Sequence, residues 1–191
     1  MSWFRWLLFA VLAGSLCWVG CTSTGASATD LDGRSVNALA GQNRKATVLI
    51  FISNDCPIAN RYAPEITRLQ ERYQPRGVAL YLVHADPQES PARIREHARE
   101  YKLTSLPILR DADHSLVRMA GAEVIPSAAV FDANRKLVYH GRIDDRFVEL
   151  GQERPEATQH DLANALDALL NGREVPVKAT KAVGCYIPGL Q

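Results

Sequence analysis

Apolar residues recur along this chain in two rhythms. Ala46-Thr-Val-Leu-Ile-Phe-Ile52 is an unbroken, β-branched run, the pattern of a strand buried on both faces. Gly77-Val-Ala-Leu-Tyr-Leu-Val-His84 is a second such run. Between them Ile58, Tyr62, Ile66, Leu69 and Tyr73 follow at spacings of four, four, three and four, which draws one apolar stripe down a helix. Pro57 suits the first helical position, and Pro64, inside the stripe, predicts a kink. Ser90-Pro91 caps a further helix whose Ile94, Ala98 and Tyr101 face inward.

The second half has a different rhythm. After Pro107-Ile-Leu-Arg110 comes a short helix from His114 to Met119, then a strand over Ser127–Phe131. The turn Asp132–Arg135 joins that strand to Lys136–His140, so the two are expected to pair antiparallel. Residues 143–157 read as a charged, solvated loop that includes Asp144-Asp145-Arg146. Thr158 opens a helix with Leu162, Leu166 and Leu169 on one face, ended by Gly172. Residues 173–191 contain Pro176 and Pro188 and no period, and Asp30–Val36 reads as a hairpin turning at Asp32-Gly33. The order β-α-β-α-β-β-α, with a crossover first and a hairpin last, predicts an α/β domain with helices on the faces of a sheet. No internal repeat is present.

The N-terminus changes where this domain is expected to work. Residues 1–20 hold one basic residue, Arg5, no acidic residue and a mostly apolar run from Trp6, the layout of an export signal. Gly20-Cys21 resembles a lipoprotein cleavage site, with Cys21 lipidated. A retained anchor and a simple secretory signal are the alternatives, and all three put the domain outside the cytoplasm. The expected organisation is a leader over 1–20, a flexible tether over 21–29, the folded domain over 30–172, and a tail over 173–191 that packs back on it. The chain has 22 basic and 21 acidic residues; losing Arg5 with the leader makes them equal. A neutral chain argues against nucleic acid as a partner. Of four cysteines, Cys17 leaves with the leader and Cys21 is the lipidation site, so Cys56 and Cys185 remain. Two thiols in an oxidising compartment make a redox couple or a single structural staple.

Phe51-Ile-Ser-Asn-Asp-Cys56-Pro-Ile-Ala-Asn-Arg-Tyr-Ala-Pro64-Glu resembles the active-site segment of thioredoxin-like proteins. In those, a strand phenylalanine precedes the first cysteine of a Cys-x-x-Cys by five residues and a helix-kinking proline follows it by eight. Val124-Ile125-Pro126 resembles the cis-proline loop of the same superfamily. Over roughly residues 29–171 the chain is most similar to the redoxin, or AhpC/TSA, group and its peroxiredoxin-like branch, which keeps the first cysteine alone and often carries Gly-Cys near the C-terminus, as Gly184-Cys185 does here. The resemblance implies a thioredoxin-like α/β fold: a central mixed β-sheet flanked by helices, with an N-terminal hairpin extension.

The departures bear on chemistry. Ala59 stands where the second motif cysteine belongs, and Asp55 replaces the preceding tryptophan. The peroxiredoxin motif Pro-x-x-x-Thr/Ser-x-x-Cys finds its hydroxyl in Ser53, but Leu49 occupies the proline position, and no arginine near Pro126 matches the peroxidatic one. At Cys56, free backbone N–H groups of a helix start favour a thiolate, while the adjacent carboxylate of Asp55 opposes it, so a moderate nucleophile is expected. The reading is therefore an exported thiol–disulfide oxidoreductase with Cys56 as nucleophile and Cys185 as candidate resolving thiol. Pro126, with Ile125, orients the substrate backbone, and Asp55 and Pro57 flank the nucleophile in substrate-positioning places. Thiol or disulfide proteins, small thiols and hydroperoxides are the expected partners, the lipid anchor is the expected membrane contact, and no cofactor is expected.

Two rivals stand beside it. One is a hydroperoxide reductase acting at Cys56. The other is a non-catalytic binding module or metal carrier with a permanent Cys56–Cys185 bridge, whose long loop stabilises by ~4–5 kcal/mol in the chain-entropy model. Copper delivery wants paired cysteines four apart, and position 60 is Asn60, so no metal site is expected. His84 ends a core strand near the active-site loops; His97, His140 and His160 read as surface or half-buried groups.

Overall fold

The structure is a computed structural model that describes residues 27–190; the expected leader, Cys17 and the lipidation site Cys21 lie outside the described residues. The apolar run Ala46–Ile52 forms β3, buried at every position. The second run forms β4 (Val78–His84). The two pair in parallel from Ala46↔Val78 to Ile52↔His84, so both strands finish at the same edge and His84 stands beside the loop that leads to Cys56.

The stripe between them is helical, and the proline divides it. α1 covers Pro57–Arg61 and α2 covers Ala63–Tyr73, with Tyr62 between. Pro64 has no N–H to bond back toward residue 60, which is why the helix breaks there. Ile66, Leu69 and Tyr73 are buried against the sheet. α3 (Pro91–Glu100) begins at Ser90, whose side chain accepts a hydrogen bond from the Arg93 N–H as expected of a cap.

A short β5 (Ile108–Arg110), α4 (Ser115–Ala120) and β6 (Val124–Ile125) follow. β7 (Ser127–Asp132) and β8 (Leu137–Gly141) make the expected antiparallel pair, and β7 lies antiparallel to β3. The N-terminal hairpin is β1 (Ala28–Thr29) with β2 (Ser35–Val36). Thr29 also pairs with Arg110, so the last two residues of the stretch read as a tether are sheet. The result is one seven-stranded mixed sheet in the order β2-β1-β5-β4-β3-β7-β8, with helices packed against it, a thioredoxin-like fold. Among the described residues no helix is long and apolar enough to cross a membrane.

Three expectations are corrected. Residues 143–157 are not a plain solvated loop: β9 (Phe147–Glu149) and β10 (Gln152–Glu153) form a hairpin, and Asp144 and Asp145 are buried. The last helix, α5, runs Asp161–Leu170 rather than from Thr158. The Thr158 hydroxyl and N–H are spent on the Asp145 carboxylate instead, which holds the chain in a turn before the helix. His97 is 6% exposed rather than at the surface, because its ring fills the space between α3 and the Cys56 loop.

Candidate redox site

Cys56 caps α1 with extended backbone (φ −90°, ψ 107°), and Pro57 is the first helical residue. A cap in this conformation starts the helix while leaving its side chain free, and here the thiol makes no capping bond. Its Sγ donates instead to the carbonyl oxygen of Ile125 at 3.3 Å. The helix is only five residues long before Tyr62 interrupts it, so any help to a thiolate comes from the nearby N–H groups and little from a summed dipole. Cys56 is 1% exposed.

The Ile125–Pro126 peptide is cis, as the resemblance implied. The backbone just before it, β6, is occupied. The tail returns as β11 (Cys185–Tyr186), antiparallel to β6 with Cys185 opposite Ile125 and Tyr186 opposite Val124. This pairing sets the Sγ of Cys185 2.7 Å from the Sγ of Cys56 across 129 positions of sequence, and both cysteines are free. That separation is longer than a disulfide bond of ~2.05 Å. Burial first, then the hydrogen bond to Cys56, pushes the Cys185 thiol up to about 12.

Beside the sulfur pair lies a groove of about 470 Å³. Pro57 and Ile58 form one wall, Phe147 and Leu150 of the β9–β10 hairpin the other, and Cys185 lies in the lining. Arg61 and Glu153 close an ion pair across its rim. The hairpin that went unread in the sequence is thus half of the groove. Asp145 fixes its base: the carboxylate accepts from the Thr158 N–H and hydroxyl and the Gln159 N–H. Those bonds outweigh the opposing effect of burial and hold the Asp145 carboxyl down to about 2.

The structure therefore brings Cys56, Cys185, Ile125, Pro126 and Pro57 together. It does not bring Asp55: that side chain is 75% exposed and pairs with Arg93 at 3.2 Å, away from the groove. Its negative charge is hydrated and partly neutralised, which weakens its opposition to a thiolate next door.

Behind the Cys56 loop stands a polar support that the sequence reading did not find. Glu89, 3% exposed, accepts from the Asn54 N–H with Oε1 at 2.9 Å, and its Oε2 lies 2.8 Å from Nδ1 of the fully buried His84. Burial works against the Glu89 carboxylate, yet the His84 bond, the His84 charge and the Asn54 N–H together bring it below its ordinary value. Asn60 donates from Nδ2 to the Asn54 carbonyl and sits 2.7 Å from Nε2 of His97. Asn54 is thus held by both backbone groups, two residues before the thiol. Glu89 lies in a polar turn with no period, and nothing in sequence separates it from a solvated glutamate. Among the described residues no cluster of three or more His, Cys, Asp or Glu side chains is placed to hold a metal.

Residues 19–140 match the model of the AhpC/TSA family. No curated protein matches the chain. Among solved structures, an uncharacterized conserved protein from Geobacillus kaustophilus is 31% identical, with a TM-score of 0.74, over 86% of this chain and 89% of that one. A hypothetical protein from Sinorhizobium meliloti is 28% identical, TM-score 0.72, over 84% and 88%. A secreted Mycobacterium tuberculosis disulfide oxidoreductase shares the fold at 18% identity and TM-score 0.51, over 77% and 92%.

Proposed function

The chain belongs to the AhpC/TSA family, and from that premise we propose an exported thiol–disulfide oxidoreductase in which Cys56 is the nucleophile and Cys185 the resolving thiol. Family and fold make it a thiol redox protein. One observation supports the finer reading: the two sulfurs lie 2.7 Å apart beside Ile125–Pro126, at a helix start. A Cys56 thiolate attacks a substrate disulfide, one substrate sulfur leaves, and Cys185 attacks Cys56 in the mixed disulfide to release the second. Ile125 supplies the carbonyl that holds the Cys56 thiol, and Pro57 sets the helix start. The same proximity also suits a permanent staple, which differs in its potential and not in its geometry.

The family also contains peroxide reducers, but this site speaks for disulfide exchange. Leu49, in the place of the motif proline, is a fully buried strand residue paired with Tyr81 and Ala129, so no motif proline shapes a peroxide pocket there. A lipid anchor at Cys21 remains our reading of the leader. Membrane fractionation of the wild type against Cys21→Ser tests it. The activity is tested with a mixed-disulfide reporter: Cys56→Ser abolishes turnover, and Cys185→Ser accumulates a substrate adduct on Cys56. Undiminished turnover in Cys56→Ser would sink the assignment.

A further inference from the structure

The tail is seated on the backbone edge that flanks Cys56. Gly184 makes the approach possible: a Cβ there would fall inside the carbonyl oxygen of Ile125 and press on the Pro126 nitrogen. No larger residue fits without moving the strand away. Beyond the pair, Ile187 is buried at 4% and pins the far end, while Tyr186 is 86% exposed. The two sulfurs consequently differ in access. Cys56 is 1% exposed, whereas Cys185 is partly exposed and lines the groove.

We propose that Ala182–Ile187 is a tethered strand that takes the edge beside Ile125–Pro126 in place of an outside polypeptide: while it is docked, the outside thiols that reduce the bridge enter at the Cys185 sulfur, and Cys56 meets a substrate disulfide only when the strand lifts. This rests on the redox-couple reading above. Starting from the bridged form, an outside thiolate bonds to the Cys185 sulfur. The Cys56–Cys185 bond breaks and its electron pair leaves on Cys56, which takes up a proton. A second outside thiolate attacks the first one's sulfur in the mixed disulfide, releasing the outside disulfide and returning Cys185, which is protonated in turn. Two outside thiols are oxidised to one disulfide, and the protein bridge is reduced to two thiols. Gly184 is the positioning residue of this arrangement, acting through Cys185.

The test is made on the full chain. In a Cys185→Ser background, Cys56 is timed against a small aromatic disulfide reagent, with and without Gly184→Ala, and separately with Ile187→Ala. Either loosening substitution is expected to speed labelling by about tenfold or more, as a docked segment opens more often, with an unchanged far-UV spectrum showing that the domain is folded. Equal rates in all three chains overturn the proposal. Independently, the bridged wild type is exposed to limiting glutathione and quenched in acid. Glutathione mapped to Cys185 supports the proposal, and glutathione mapped to Cys56 overturns it; where Cys56 recaptures Cys185 before the quench, the labelling rates decide. The labelling arm needs no bridge, so its failure is distinguishable from a failure of the redox couple, which shows as a bridge indifferent to redox buffers.

Discussion

The hydroxyl of Tyr62 donates a 2.6 Å hydrogen bond to the carboxylate of Asp144, and both side chains are buried. The contact joins the break between α1 and α2 to the loop that carries the groove hairpin. Burial first, then the Asp144 bond and charge, raise the Tyr62 phenol well above its usual value. Tyr62→Phe leaves Asp144 with the Arg146 N–H but without its phenol donor. The expected cost is about 1–3 kcal/mol in urea unfolding, the range for a buried polar group stripped of one partner. A change within experimental error would show that the groove loop is not tied to the helix by this bond.

Asp111 organises the start of α4 in the same way. It is fully buried, with Oδ1 accepting from the Leu116 N–H and the Ser115 hydroxyl and Oδ2 from the Val117 N–H. Asp111→Ala strands these donors and is expected to destabilise by about 2 kcal/mol, the upper range for a lost cap. Chemical denaturation checks it, and a neutral effect would contradict it.

How far these contacts were legible in the sequence follows from their physics. Regular elements repeat apolar positions, so β3, β4 and the stripe from Ile58 to Tyr73 could be read one chain segment at a time. Cys56, Ile125 and Pro126 were legible because the segments that hold them resemble the active-site and cis-proline motifs of thioredoxin-like proteins, and Pro57 because proline suits a first helical position. Glu89, Asp144 and Asp145 were not. Each looks like a solvated carboxylate until a distant donor, such as the Asn54 N–H or the Tyr62 hydroxyl, is folded against it. That the tail packs back on the domain was expected; its pairing with β6 was hidden, since a two-residue strand has no period.

Acid should weaken the fold from the Cys56 side first. His97 lies below its usual value, chiefly through burial and then through the charge of His84, against the pull of Glu89 and Asp55. A histidine with a depressed folded value binds its proton less well folded than unfolded. Its contribution is therefore complete above the unfolded value of 6.5 and is lost as pH falls through the folded one. Glu89, also depressed, adds a loss of the same sign below 4.5. Unfolding measured from about pH 7.5 down to about pH 5 is expected to show falling stability, with the slope reduced in His97→Asn. A flat profile in the wild type would refute the assignment.

The groove should matter to exchange and little to folding. Leu150 is 68% exposed, so its removal costs little burial energy, yet it forms part of the wall beside Cys185. Leu150→Glu is expected to slow exchange with an apolar aromatic disulfide several-fold while leaving the urea midpoint within error. Unchanged exchange would place the route to the sulfurs elsewhere.

If Cys56 and Cys185 cycle, their bridge opens and closes with the surrounding potential. The measurement that decides this equilibrates the protein in a series of glutathione and dithiothreitol buffers, traps free thiols in acid and counts them by mass. A reversible two-electron transition between bridged and dithiol forms is expected, at or above about −270 mV, and it disappears in Cys56→Ser and in Cys185→Ser. A bridge that persists well below about −300 mV, or two thiols that stay free in every buffer, would contradict it.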